Sequence, residues 1–334
     1  MGRFPFSPFP AGWYAVAFSR ELTRGAVVST TVMGREHVLF RGASGEVAML
    51  GAHCPHMGAH LGVGGRVVGD AIRCPMHGFA FAPGGACVAT GYGTKPPPTC
   101  IASSTPVIEQ GGVVLAYHDE RGAAPAWQPP APDLGGFTPL RTHILRGVAS
   151  HPQETTENSV DLGHFGTVHR YREVELLEPV RTEGAYLTAR YRMKRRALVP
   201  GTRAVAAELT IHVHGLGYSL VEVEVPSHGL SSRLYVLPTP TDGEHIDLRL
   251  ASCVRADRGL LRMVPRRLLG WTIGRVVQRN YLADVRQDLP IWEHKAYVAP
   301  PRLAEGDGPV GRYRTWTRQF YAEPGGGVRA AAGQ

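Results

Sequence analysis

The sequence predicts an α+β protein in two parts: an all-β domain over 1–120 and a helix-covered antiparallel β-sheet over 141–334, joined by a Pro/Gly-rich linker over 121–140. Three observations predict it. Residues 13–118 run as short β-rich segments punctuated by Gly and Pro, the pattern of a small all-β unit. Pro125, Pro129, Pro130, Pro132 and Pro139 then crowd a stretch rich in Gly and Ala, which suits a connector and no regular element. Further on, Leu209, Ile211 and Val213 alternate with Glu208, Thr210, His212 and His214, as in a strand with one buried face, before the period turns helical over 259–295.

In the first part, strands are expected at 13–18, 27–33, 37–41, 47–51, 66–73 and 113–118. In the second, 141–148 reads as a strand and Pro152 opens a helix with Ser150 as its cap. Strands follow at 185–192, 204–214, 218–225, 233–237 and 246–253. The helical stretch runs through Leu268, Ile273, Val276, Val277, Leu282, Val285, Leu289 and Trp292, with interruptions expected at Pro265 and Pro290. No internal repeat of 20–50 residues is visible.

At 334 residues and 43% hydrophobic content, the chain can bury two real cores. Residues 1–10 show no apolar run of signal-peptide length, and the most apolar long stretch, 260–277, carries Arg262, Arg266, Arg267 and Arg275, so neither a leader nor a membrane span is expected. A cytoplasmic protein is expected. The formal charge of +8 is spread along the chain without interleaved aromatics, which speaks against nucleic-acid binding and for a docking face toward an acidic redox partner. For the arginines of 262–279 two readings stay open: a solvated helix face, or the polar side of a helix resting on anionic lipid.

Two short hooks carry the chemistry. Cys54-Pro-His56 is followed, after 17 intervening residues, by Cys74-Pro-Met-His77. Each hook offers one thiolate and one imidazole, which lets the cysteines hold one iron of a [2Fe–2S] cluster and the histidines the other. A structural zinc site usually pairs Cys with Cys and His with His; here the hooks are mixed. Gly58, Gly62, Gly64, Gly65 and Gly78 allow close approach of the backbone to a cluster. His53 and His60 fall outside the spacing and read as loop residues, and Cys87, Cys100 and Cys253 as unpaired thiols of a reducing compartment.

A second centre is expected in the first helix beyond the linker, where Glu157-Asn158-Ser-Val-Asp161-Leu-Gly-His164-Phe-Gly-Thr-Val-His169 stands. Histidines five apart do not share one face of an ideal helix, so both reach one metal only if the helix bends or ends near Gly163 or Gly166. Two imidazoles and one carboxylate form the facial triad of non-haem Fe(II). Spacing leaves the carboxylate open among Asp161, Asp284 and Asp288, the last two four apart on one helix face. His212, His214 and Tyr218 read as exposed strand residues sooner than as pocket lining.

With these residues in place, the chain resembles the Rieske non-haem iron oxygenases along nearly its whole length. Cys54-Pro-His56-Met57-Gly58-Ala-His-Leu61, Asp288-Leu-Pro-Ile291-Trp292-Glu-His-Lys295, Asp307-Gly308-Pro309 and Tyr313-Arg314-x-Trp316-x-x-x-Phe320-Tyr321 resemble the branch containing 3-ketosteroid 9α-hydroxylases and Neverland-type cholesterol 7-desaturases. Arylamine oxygenases of the aminopyrrolnitrin type are similar around the Asp-x-x-Ile-Trp phrase.

The resemblance implies a helix-grip, START-like catalytic domain, with His164, His169 and Asp288 as ligands of one Fe(II) and Cys54, His56, Cys74 and His77 as ligands of the cluster. Asp161 becomes the bridge to a cluster histidine of a neighbouring subunit in a head-to-tail homotrimer, and Asn158 lines the iron site. The implied activity is that of a terminal oxygenase acting with O2 on a C–H bond of a hydrophobic, steroid- or sterol-like substrate. No Gly-x-Gly-x-x-Gly stands between a strand and a helix, so NAD(P)H would act indirectly, through a ferredoxin or flavin reductase. The Neverland-type proteins carry an amino-terminal membrane segment; none is expected here. A Rieske ferredoxin is the reading from another class, and the whole second domain speaks against it.

Overall fold

The computed structural model describes residues 3–195, 204–258 and 260–322. The expected helical onset at Gly259 and the final stretch 323–334 lie outside the described residues. Eleven strands make up the amino-terminal part: β1 (Gly12–Phe18), β2 (Val27–Val32), β3 (Arg35–Arg41), β4 (Val47–Gly51), β5 (Arg66–Val68), β6 (Ala71–Arg73), β7 (Ala80–Phe81), β8 (Cys87–Ala89), β9 (Ser104–Thr105), β10 (Val107–Gln110) and β11 (Val113–His118). They form three small antiparallel sheets, β1-β11-β10, β2-β3-β4-β9 and β5-β6-β7-β8. The expected strand over 66–73 is a hairpin, because Gly69 at φ 60° and Asp70 turn the chain.

After the linker come β12 (Arg141–Ala149), α1 (Pro152–Glu157), α2 (Leu162–Thr167), β13 (Arg172–Glu183), β14 (Tyr186–Arg195), β15 (Val205–His214), β16 (Tyr218–Val225), β17 (Leu230–Pro240), β18 (His245–Ala256), α3 (Arg266–Trp271), α4 (Ile273–His294) and α5 (Val310–Thr317). The strands build one seven-stranded antiparallel sheet in the order β12-β18-β17-β16-β15-β14-β13. Helix α4 lies across it and buries Gly274, Gln278, Tyr281, Val285, Asp288 and Trp292, a spacing of three and four that keeps one helix face inward. Pro290 does not interrupt α4: it sits on the exposed face with Arg286, where water can serve the carbonyl that loses its helical donor. Among the described residues no helix is long and apolar enough to cross a membrane.

The two parts are locked together. A bulge between Ala15 and Ala17 interrupts the β1–β11 ladder and leaves carbonyls free. Buried Arg249 of β18 fills that gap, donating to Ala15 O and Val16 O at 2.9 Å each, and Thr239 Oγ1 donates to Ala15 O at 2.7 Å. The linker is packed too, since Trp13 Nε1 donates to Trp127 O at 2.6 Å and Thr138 N to Val254 O at 2.9 Å.

The cap of α1 is His151, not Ser150. Proline as first helical residue places the cap immediately before it, and His151 Nδ1 accepts from Gln153 N at 3.1 Å. Its Nε2–H donates to Ser7 O at 3.2 Å, and Phe6 packs edge-on at 4.7 Å between ring centroids. The cap needs the neutral ring, and burial, outweighing the Ser7 carbonyl that favours the charged form, pushes its pKa down to about 3. Because the unfolded chain binds this proton near pH 6.5, stability is lost as pH falls from there toward the folded value. Between pH 7 and pH 5 the loss expected from this residue is about 2 kcal/mol. His151→Asn, which keeps a capping oxygen, should flatten the dependence of Tm on pH over that window; an unchanged slope would count against the assignment.

Candidate metal centres

The two hooks fold alike. Gly58 N donates to Cys54 O at 2.8 Å and Gly78 N to Cys74 O at 3.2 Å, each closing a five-residue turn whose glycine sits at φ 80° or 69°. Cys54 N and Cys74 N then donate to Ala59 O and Phe79 O, both at 2.8 Å. The glycines beyond are tight: a Cβ on Gly65 would lie 1.9 Å from Leu61 O, and one on Gly91 would lie 2.1 Å from His77 O. The hooks connect β4 to β5 and β6 to β7, so each is anchored at both ends by a strand.

Cys54 and Cys74 are buried, while His56 and His77 reach toward the surface with ring centroids 4.9 Å apart. His56 stacks on Phe79 at 4.1 Å, which fixes its ring plane. Burial, with the neighbouring Cys74 sulfur adding to it, pushes the Cys54 thiol up to about 11. Two adjacent buried thiols are a poor arrangement without a metal to take them as thiolates. The four side chains do not gather at one point as they would around zinc. Among the described residues the only trio of His, Cys, Asp or Glu whose ligand atoms lie within 4.8 Å of one another is His164, His169 and Asp288. Separate cysteine and histidine pairs fit a two-iron core.

At the second centre the helix breaks over 158–161, and Asp161 restarts it: its Oδ1 accepts from His164 N at 3.0 Å and caps α2. The helix ends at Thr167, just past Gly166, so His169 lies beyond it and turns back toward His164. The two Nε2 atoms face each other at 2.9 Å, and Asp288 Oδ1 stands 3.1 Å from one and 3.7 Å from the other. All three side chains are under 10% exposed. Asp288 Oδ1 is nonetheless a buried oxygen with no hydrogen-bond partner. A carboxylate oxygen and two imidazole nitrogens pointing at one spot, with the oxygen orphaned, are the donor set of a facial-triad iron and fit one.

Asp284 goes elsewhere. Its Oδ2 accepts from Tyr171 Oη at 2.9 Å and pairs with Arg195, while burial raises its carboxyl above the usual range. Asn158 Nδ2 donates toward His164 Nε2 at 3.2 Å. Gln287, which sequence reasoning missed, accepts from His169 Nδ1 at 3.2 Å and so leaves Nε2 free to ligate. Its one sequence signal was adjacency to Asp288.

A cavity of about 150 Å³, open to solvent on one side, lies beside the trio. Leu209, Ile211, Val221, Val223, Val285 and Trp292 make it apolar. His212, His214 and Tyr218 do not line it, and His214 and Tyr218 are buried, not exposed: Tyr186 stacks on His214 and Tyr218 packs edge-on against it.

A family model described as the 3-ketosteroid 9α-hydroxylase C-terminal domain matches residues 116–321, and one described as the Rieske [2Fe-2S] domain matches residues 12–102. The chain is 28% identical to a cholesterol 7-desaturase of Ciona intestinalis over 94% of its own length and 69% of the relative's. It is 29% identical to one of Bombyx mori, over 95% and 70%. Similarity to a probable 3-ketosteroid-9-alpha-monooxygenase oxygenase component of Rhodococcus rhodochrous is 28% identity, over 96% and 82%. Among solved structures the fold is similar to dicamba monooxygenase bound to dicamba, with TM-score 0.70 and 22% identity over 92% of this chain and 96% of that one. It is also similar to Pseudomonas putida CBB5 NdmA with caffeine, at TM-score 0.67 and 18% identity over 92% and 89%. At those identities the structures speak for the fold alone.

Proposed function

We propose the substrate and the site roles from one premise: the chain belongs to the family of the 3-ketosteroid 9α-hydroxylase C-terminal domain and carries a Rieske [2Fe–2S] domain ahead of it. It is a Rieske-type oxidoreductase, the terminal oxygenase component that uses O2 and electrons passed from NAD(P)H through a separate reductase. In our reading Cys54, His56, Cys74 and His77 hold the cluster, and His164, His169 and Asp288 hold one Fe(II). When bound, these groups supply the electrons and the open coordination positions that O2 activation requires.

The chain's own residues do the rest. Gln287 selects the His169 tautomer, Asp161 anchors the backbone of His164, and Asn158 stands over the same ring. The apolar wall excludes water around a C–H bond to be attacked. Asp161 also serves, in this reading, as the link to the cluster of a neighbouring subunit in a homotrimer. The three cysteines outside the cluster hooks, Cys87, Cys100 and Cys253, form no disulfide and fit a reducing, cytoplasmic setting.

The observation that carries the iron assignment is the orphaned Asp288 Oδ1 between two imidazoles. For the substrate we propose a steroid or sterol bearing an oxygen. Ser219, 3% exposed, puts into the apolar cavity a hydroxyl without a partner, which an oxygen of the substrate would satisfy.

Turnover of a panel of 3-ketosteroids, sterols and arylamines with a surrogate reductase and NADH tests this. Product formation coupled to NADH is expected with a steroid; coupling with an arylamine alone would overturn the substrate choice. Ser219→Ala should raise KM for the oxygenated steroid roughly 3- to 10-fold, leave its deoxy analogue unaffected and not lower Tm.

A further inference from the structure

Residues 258–283 contain six arginines, Arg258, Arg262, Arg266, Arg267, Arg275 and Arg279, and no Asp or Glu. All six are exposed, and among the described residues none of them forms an ion pair. Large apolar side chains stand among them. Met263 is 81% exposed, Trp271 63%, Leu268 50% and Val276 41%. The inner side of the same segment is spoken for: Leu269 and Gly270 are buried, and a Cβ on Gly270 would lie 3.2 Å from Thr138. Single exposed apolar residues need no explanation, but four of them interleaved with unneutralised arginines make one surface.

We propose that this face, the outer side of α3 and of the first turns of α4, docks on an anionic lipid bilayer. Trp271 and Leu268 enter the headgroup region, and the arginines meet lipid phosphates. Charge decides between occupants. A second copy presenting the same face would bring like charges together, whereas an anionic bilayer neutralises the exposed arginines at once. The position also makes chemical sense, because α4 begins at this face and ends along the cavity with Tyr281, Val285, Asp288 and Trp292. Docking therefore sets the helix that walls the cavity against the phase in which sterol-like molecules dissolve. This goes beyond the reading of the reaction, and its test needs no turnover, so either can fail alone.

The test is flotation of the holoenzyme with vesicles of phosphatidylcholine alone or of an equimolar mixture with phosphatidylglycerol. Binding to the anionic vesicles is expected at low salt, with at least roughly tenfold loss on raising salt from about 0.05 to 0.5 M. The double substitution Arg266→Gln and Arg267→Gln should weaken it roughly 10- to 30-fold. Trp271→Ala should weaken it as well, and neither change should alter the oligomeric state measured by light scattering. Failure to float with anionic vesicles, equal binding to neutral ones, or indifference to these substitutions would overturn the proposal. A change of oligomeric state in the variants would assign the face to a second copy instead.

Discussion

His164→Ala is expected to purify with about two irons per chain where the unaltered protein holds about three, and with both acid-labile sulfides retained. The cluster should keep its electron paramagnetic resonance signature after reduction, because Cys54, His56, Cys74 and His77 belong to separate hooks anchored by their own strands. Turnover should fall by at least about 1,000-fold, the loss of some 4 kcal/mol of transition-state stabilisation. The size follows from the geometry: removing one imidazole leaves Asp288 Oδ1 buried beside a single nitrogen, 3.7 Å away, too few ligands to retain iron. Asp288→Ala should behave likewise. Asp284→Asn separates the two carboxylates, since Asp284 is already committed to Arg195 and Tyr171. It should keep its iron. If His164→Ala retains all its iron, the mononuclear site is elsewhere; if Asp284→Asn loses iron, the choice between the carboxylates is wrong.

That choice shows what the sequence could and could not say. Hooks of fixed spacing are legible because ligand chemistry tolerates few residue types, and the histidine pair is legible for the same reason. Asp284 and Asp288 share a helix face, so periodicity treats them alike; what separates them is a partner, Arg195, distant in sequence. The helix was expected to bend or end near Gly163 or Gly166, and α2 does end at Thr167, beside Gly166; what residue types did not foretell is the earlier break over 158–161, where Asp161 caps a new start. A cap depends on which backbone donors lack partners, and a window of residue types does not contain that information. The same holds for His151. The sheet was readable where alternation ran for eight or more residues, as in β15 and β16. It was not readable in β7 to β10, where strands of two to four residues owe their conformation to their neighbours. β13 was missed despite its length because three register shifts against β14 erase the alternation.

The largest effect on stability is expected from a group that never touches substrate. Arg314 of α5 grips Glu157 at the end of α1 with two parallel bonds, Nε to Oε2 at 2.6 Å and Nη2 to Oε1 at 2.8 Å. Both side chains are nearly buried, at 12% and 6% exposed. Lys295 lies 3.3 Å from the same carboxylate but is shared with fully buried Glu154 at 2.6 Å, so it cannot neutralise both. Without the guanidinium, two buried carboxylates would compete for one ammonium. Arg314→Met keeps the aliphatic stem and removes the charge, and is expected to cost about 3–5 kcal/mol. For a domain of this size that corresponds to a fall of about 10 °C in Tm. Arg314→Lys should recover only part of it, because a point charge cannot reproduce the fork. The double variant Arg314→Met with Glu157→Gln should recover more, since the penalty lies in the stranded carboxylate and not in the missing contact. Glu157 directly precedes Asn158 and the loop that Asp161 closes, so a loosened α1 should also lower iron retention on warming, before global unfolding. A loss under about 1 kcal/mol in Arg314→Met would mean that water already reaches this pair and that α1 is held by packing alone.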